Sequence, residues 1–184
     1  MGILDNLPTE EILFIHNPRT SGKSICQALG IEQTHEPWWR RSFDHTEYRF
    51  TVFRNPWEQA LSWYVSARIE DTRGLSLEEW CVTGFWVGDE TPYLERPDIA
   101  LPWWIECHPF DQLDRAGDHL DAYFRFEDRQ AWWPKLSSKP LPHINKSPRN
   151  REAWPKYTKA AADIVAERQA GLIERFGYRY TETI

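Results

Sequence analysis

Glu11-Ile12-Leu13-Phe14-Ile15-His16-Asn17-Pro18-Arg19-Thr20-Ser21-Gly22-Lys23-Ser24-Ile25-Cys26-Gln27-Ala28-Leu29 is the stretch that decides the fold. It opens on a short apolar run that stops at Asn17-Pro18, the pattern of a buried strand running into a loop. From Gly22 onward, Ile25, Cys26 and Leu29 fall on one side of a helix, and Gly30 marks its end. Between strand and helix, the six residues Arg19 to Ser24 hold two cations and three hydroxyls. Gly22 can adopt a positive φ, and the free amides and dipole of a first helical turn favour an anion. The unit reads as strand, anion-binding loop and helix.

The chain continues in the same alternation. Tyr48 to Phe53 is a second strand candidate, rich in β-branched and aromatic residues. It stops at Arg54-Asn55-Pro56, where Asn55 suits a helix N-cap, Pro56 the first helical position, and Glu58 a capping box. Trp57, Ala60, Leu61, Tyr64 and Val65 give that helix its apolar face. Ser76-Leu77-Glu78-Glu79 reads as another capping box, opening a helix to about Phe85. Ala122 to Phe126 is a third strand and Asp128 to Leu136 a short helix; Ser137 to Arg151 lacks periodicity and reads as a loop. Tyr157, Ala161, Ile164, Val165, Arg168, Leu172 and Phe176 predict one closing helix, ended by Gly177. Strands alternating with helices argue for an α/β fold with a mainly parallel sheet.

The 184 residues suit a single domain, or one with an appended lobe, at roughly 150 residues per domain. Hydrophobic residues make up 41% and charged residues 27%, enough to fill a core. A net charge of −6 disfavours a general nucleic-acid binder. No apolar run approaches the length of a membrane span, and the acidic start MGILDNLPTEE does not resemble a signal peptide. Cys26, Cys81 and Cys107 are odd in number and far apart, which argues against a disulfide framework or zinc site and fits a reducing cytoplasm. Eleven Trp include the pairs Trp38-Trp39, Trp103-Trp104 and Trp132-Trp133. Most should be core, while a pair in a loop can stack on a sugar or another flat acceptor.

Charge is unevenly spread. Asp89 to Asp114 carries seven acidic residues and one basic, Arg96, whereas Lys139 to Arg151 carries Lys139, Lys146, Arg149 and Arg151 and no acid. These read as solvated loops of opposite sign, or as a basic lid over an anionic ligand with an acidic surface elsewhere. The loop itself matches the end of a Walker A motif at Gly22-Lys23-Ser24, but Asn17 stands where that motif has its first Gly. The nearest strand for a magnesium-binding Asp, Tyr123-Phe124-Arg125-Phe126-Glu127-Asp128, is interrupted by Arg125.

A second pattern is closer. His16-Asn17-Pro18-Arg19-Thr20-Ser21-Gly22-Lys23-Ser24 resembles the 5′-phosphosulfate loop of sulfotransferases that use 3′-phosphoadenosine-5′-phosphosulfate (PAPS), particularly the carbohydrate-type branch with its I-P-K-T-G-G-T-S pattern. Phe50-Thr51-Val52-Phe53-Arg54-Asn55-Pro56 with Ser62 resembles the family's 3′-phosphate motif, a strand, R-[D/N]-P, and a Ser eight residues after the Arg. Two helical turns bring Ser62 back toward the face of the Asn55 cap, so a guanidinium and a hydroxyl can converge on one phosphate. Tyr123-Phe124-Arg125-Phe126-Glu127-Asp128 is similar to the family's strand ending in E-D, and Pro142 to Arg149 to its H-x-N-x-S-x-R loop. The resemblance runs from residue 12 to about 178, with the acidic middle unmatched.

The resemblance implies a three-layer, P-loop NTPase-like fold as one domain over residues 1–184, with an acceptor-side insertion around 86–115. It implies sulfuryl transfer from PAPS to a hydroxyl, leaving adenosine 3′,5′-bisphosphate (PAP), with no metal. The nucleotide would lie on Arg19, Thr20, Ser21, Gly22, Lys23, Ser24, Arg54 and Ser62, with Lys146, Ser147 and Arg149 closing over it. The family's loop lysine is Arg19 here, a planar fork in place of a point charge; either Arg19 or Lys23 is then the cation on the leaving oxygen. His35 is the favoured base, with His45, Asp44 and Glu36 as alternatives. The acidic middle points to a neutral or cationic acceptor, a glycan or small hydroxyl compound. A nucleotide kinase or NTPase, and a catalytically silent nucleotide-binding protein, are the other readings.

Overall fold

Ile12, Leu13, Phe14 and Ile15 are all buried, which is why this run has no polar alternation: a parallel strand covered on both faces exposes neither. The computed structural model describes residues 1–17, 19–32, 47–66, 74–83, 120–144 and 154–181. They fall in two compact units, Met1–Arg54 with Pro102–Asn145, and Asn55–Leu101 with Lys146–Ile184.

The first unit holds an open parallel sheet of β1 (Ile12–Ile15), β2 (Tyr48–Phe53) and β3 (Ala122–Arg125), in the order β1-β2-β3 among the described residues. Phe14 lies opposite Phe50, Phe50 opposite Ala122, and Phe53 opposite Arg125. Helix α1 (Gly22–Leu29) follows β1 and ends where Gly30 turns left-handed, φ +73°. A 3-10 turn (Phe126–Asp128) leads from β3 into α4 (Arg129–Leu136). The expected third strand thus ends one residue early, and Phe126 has left the sheet. The core joins Phe14, Ile25, Leu29, Phe50, Trp132, Trp133 and Leu136. Phe14 stacks on Phe50 at 4.9 Å and Phe124 on Trp132 at 4.8 Å. Trp132 donates to the Arg125 carbonyl and Trp133 to that of Lys139, both at 2.7 Å, so both indoles bury without an orphaned N–H.

In the second unit, α2 (Pro56–Ser66) begins as expected: Asn55 Oδ1 accepts from the Trp57 and Glu58 amides. Helix α3 (Leu77–Thr83) has its capping box, the Ser76 amide donating to Glu79 at 2.8 Å and the Glu79 amide to Ser76 Oγ at 3.2 Å. Both pack on α5 (Lys159–Arg168), where Trp57 Nε1 donates to the Ala162 carbonyl at 2.9 Å. The single closing helix read from the sequence is two. Tyr157 precedes the start, Thr158 Oγ1 caps α5 by accepting the Ala161 amide, and Gln169 (φ −115°, ψ 21°) separates α5 from α6 (Ala170–Phe176). The apolar spacing continues across Gln169, so periodicity does not register the break. The fold is α/β, an open parallel sheet with flanking helices.

The N-terminal turn Ile3–Asn6 is pinned to the end of α4 through one carboxylate. Asp5 accepts the Ser138 amide at 3.0 Å, the Gly2 amide at 2.6 Å and the Ser137 hydroxyl at 2.9 Å. Those bonds, led by the Ser138 amide, hold its pKa far below the usual carboxylate range. A depressed folded-state pKa gives stability that is complete above the unfolded value, near ~4, and is lost as pH falls through the folded value. Asp5→Asn should therefore lower the melting temperature at neutral pH, with the difference from wild type shrinking in melts taken below about pH 4.

Candidate functional site

Two non-glycine residues in the loop between β1 and α1 are left-handed, Arg19 at φ +64° and Ser21 at φ +69°. Thr20 between them and Gly22 after them have negative φ. Alternation of this kind turns successive backbone N–H groups toward one concave side, an arrangement suited to anions. It is also strained, since a left-handed L-residue costs on the order of 1 kcal/mol or more.

The surroundings hold that strain. Asn17, fully buried, donates from Nδ2 to the Val52 carbonyl at 2.9 Å and to Thr51 Oγ1 at 3.0 Å. Thr51 in turn donates to the Ile15 carbonyl at 2.7 Å, and Thr20 to the Asn17 carbonyl at 2.6 Å. The His16 ring stacks on Phe14 at 5.7 Å and lies directly against Gly22. A Cβ at Gly22 would stand 1.7 Å from His16 Nε2, so no larger residue fits there. His16 thus packs beneath the loop as well as toward the strand.

Arg54 follows the last residue of β2, is 5% exposed, and donates from Nη1 to the Arg19 carbonyl at 3.3 Å. Its guanidinium carbon lies 4.7 Å from the centre of the Phe126 ring. Burial first, and then the charge of Arg54, push the pKa of Arg19 down from its ordinary value. Two guanidinium groups are therefore held at the carboxyl ends of adjacent parallel strands, where open α/β sheets bind their ligands.

The other residues expected from the sequence divide clearly. Lys23 is exposed on the first turn of α1. Ser24 is buried, and its Oγ accepts the Ile144 amide at 3.2 Å, which ties residues 141–144 to α1. Ser21 stands at the N-cap of α1 without capping through its hydroxyl. Ser62 is buried on α2, in the second unit, and its carbonyl accepts the Ser66 hydroxyl. His35, His45, Asp44, Glu36, Lys146, Ser147, Arg149, the acidic insertion around 86–115, Cys107 and the pairs Trp38-Trp39 and Trp103-Trp104 lie outside the described residues. Trp132-Trp133 is core. Glu127 and Asp128 follow β3 as exposed residues, and Asp128 pairs with Arg125 at 3.6 Å.

Three groups escaped the sequence reading. Asn17 stands where a Walker A loop has its first Gly, and its side-chain amide instead bonds the Val52 carbonyl at the strand exit. The contact of His16 with Gly22, and the place of Arg129, whose guanidinium also lies 4.7 Å from the Phe126 ring, depend on tertiary packing.

No family model matches the chain, and no curated protein or solved structure matches it. No helix among the described residues is long and apolar enough to cross a membrane.

The fit of His16 against Gly22 has a measurable consequence. Gly22→Ala should destabilise the protein by about 1–3 kcal/mol in urea denaturation, because the overpacked loop must shift. His16→Ala with Gly22→Ala should cost less than the two single changes added together, by about 1 kcal/mol or more.

Proposed function

We propose that the protein is a PAPS-dependent sulfotransferase of P-loop-like fold, transferring a sulfuryl group to a hydroxyl of a glycan or small acceptor. One observation carries this reading: Arg19 and Arg54 stand together around a loop of alternating φ that opens into α1. In the family that this loop resembles, a guanidinium after the second strand serves the 3′-phosphate of the nucleotide. PAPS supplies the activated sulfuryl group. The loop amides and Arg19 hold its 5′ end, Arg54 holds the 3′-phosphate, and Lys23 is a second candidate for neutralising the leaving oxygen. His35 is assigned the role of taking the proton of the attacking hydroxyl. Positioning and fixed charge supply most of the rate enhancement in such in-line transfers.

Lys23, exposed on the first turn after Gly22, favours a second reading as a kinase or NTPase. Against it, Ser24 already accepts the Ile144 amide, and Asp128, the carboxylate nearest a Walker B position, is exposed and paired with Arg125.

Calorimetric titration with PAP, beside ATP with magnesium, separates these readings. PAP should bind without metal, and Arg54→Ala should weaken it by about 10- to 100-fold, the worth of a charge-assisted hydrogen bond. Preference for ATP with magnesium overturns the proposal in favour of a kinase. PAP binding without turnover on any hydroxyl acceptor leaves a nucleotide-binding protein.

A further inference from the structure

Arg129 is absent from the motifs that suggested the sulfotransferase reading, yet the fold brings it to the same edge of the sheet. Register explains how. Phe53 is paired with Arg125, so the next residues along the two strands, Arg54 and Phe126, emerge side by side. Arg129 lies three residues beyond Phe126, about one turn on, at the start of α4. The guanidinium carbons of Arg54 and Arg129 are each 4.7 Å from the centre of the Phe126 ring, so they are no further apart than twice that distance.

Two cations share the attraction of one ring and repel each other, and Arg129 also sits at the positive end of the α4 dipole. Among the described residues, the edge carries Arg19, Arg54, Arg125 and Arg129 beside Glu127 and Asp128, and Asp128 pairs with Arg125. Arg129 is half-buried, with its guanidinium held on the ring at the sheet edge. A ligand of matching charge relieves the repulsion. A phosphate monoester carries close to two negative charges at neutral pH, and each guanidinium offers a planar fork to its oxygens.

We infer that Arg54 and Arg129, both held on Phe126, form a two-guanidinium seat for a phosphate monoester, and that Arg129 makes the protein selective for a nucleotide carrying such a group in addition to its 5′ phosphate. The identity of that ligand as a 3′-phosphorylated adenosine nucleotide rests on the function proposed above; the seat itself rests on the geometry.

The test compares full-length wild type with Arg129→Ala and Arg129→Lys, using PAP, adenosine 5′-monophosphate and inorganic pyrophosphate as calorimetric probes. Arg129→Ala should weaken PAP by about tenfold or more and leave the monophosphate within about twofold. Arg129→Lys, which keeps charge and loses the fork, should show a smaller loss of the same selectivity, and it carries the test if the alanine variant does not fold. Equal losses for both nucleotides, or no loss for either, overturn the inference. Should wild type bind neither nucleotide, the sulfotransferase reading fails separately, and pyrophosphate decides the seat. Pyrophosphate binding weakened by Arg129→Ala upholds it; binding that is absent or unchanged overturns it.

Discussion

The side-chain amide of Asn17 fastens the exit of β1 to the exit of β2, and the geometry of the site depends on that fastening. The parallel ladder between these strands ends at Ile15 and Thr51. One residue further on, the Val52 carbonyl has no β1 backbone left to meet it, and Asn17 supplies the donor at 2.9 Å. An unmade bond there would leave a buried carbonyl at a cost of about 1–3 kcal/mol. The same amide reaches Thr51, whose hydroxyl returns to Ile15, so both strand ends close into one buried polar network. Arg54 lies two residues beyond Val52, and Arg19 two beyond Asn17. Fixing Asn17 on Val52 therefore fixes the spacing of the two arginines.

Buried hydrogen bonds from Asn17, Thr20 and Thr51 can hold a loop in conformations its residues would otherwise avoid. Arg19 and Ser21 are left-handed without being glycine, while Gly22, the residue free to take a positive φ, is helical. The glycine is needed for space, not for rotation, because the His16 ring occupies the place of its side chain. Local rules are broken where a site is built and obeyed elsewhere, which is the usual distribution in natural proteins.

That distribution also explains what could be read from the sequence. The strand at Ile12–Ile15 announces itself through an uninterrupted apolar run, that at Tyr48–Phe53 through β-branched and aromatic residues, and α2 and α3 through the short-range chemistry of Asn55 and of Ser76 with Glu79. These signals act within a few residues. The break at Gln169 does not, because the Ile173 amide still reaches the Gln169 carbonyl at 2.9 Å and the apolar stripe runs on unbroken. At the site, Arg19 and Arg54 were legible because each follows a strand and strand exits gather at one edge of a parallel sheet. Arg129 was hidden by the register of β3 on β2, which the amino-acid pattern leaves open. Pro18 gave no warning of the left-handed turn that follows it, since that turn is set by contacts from β2.

The order β1-β2-β3 has a kinetic meaning as well. The first two strands and α1 form a continuous stretch that can close early. Arg49 and Asp121, joined at the entry of the β2–β3 pair, lie 72 residues apart, and part of the second unit is made from the chain between them. Closing so long a loop opposes pairing until many contacts form together, which delays the last strand. During synthesis, the ribosome releases the loop and Arg54 well before Phe126 and Arg129 have been made. The nascent chain thus displays half of its charged edge first, and completes it only when β3 docks.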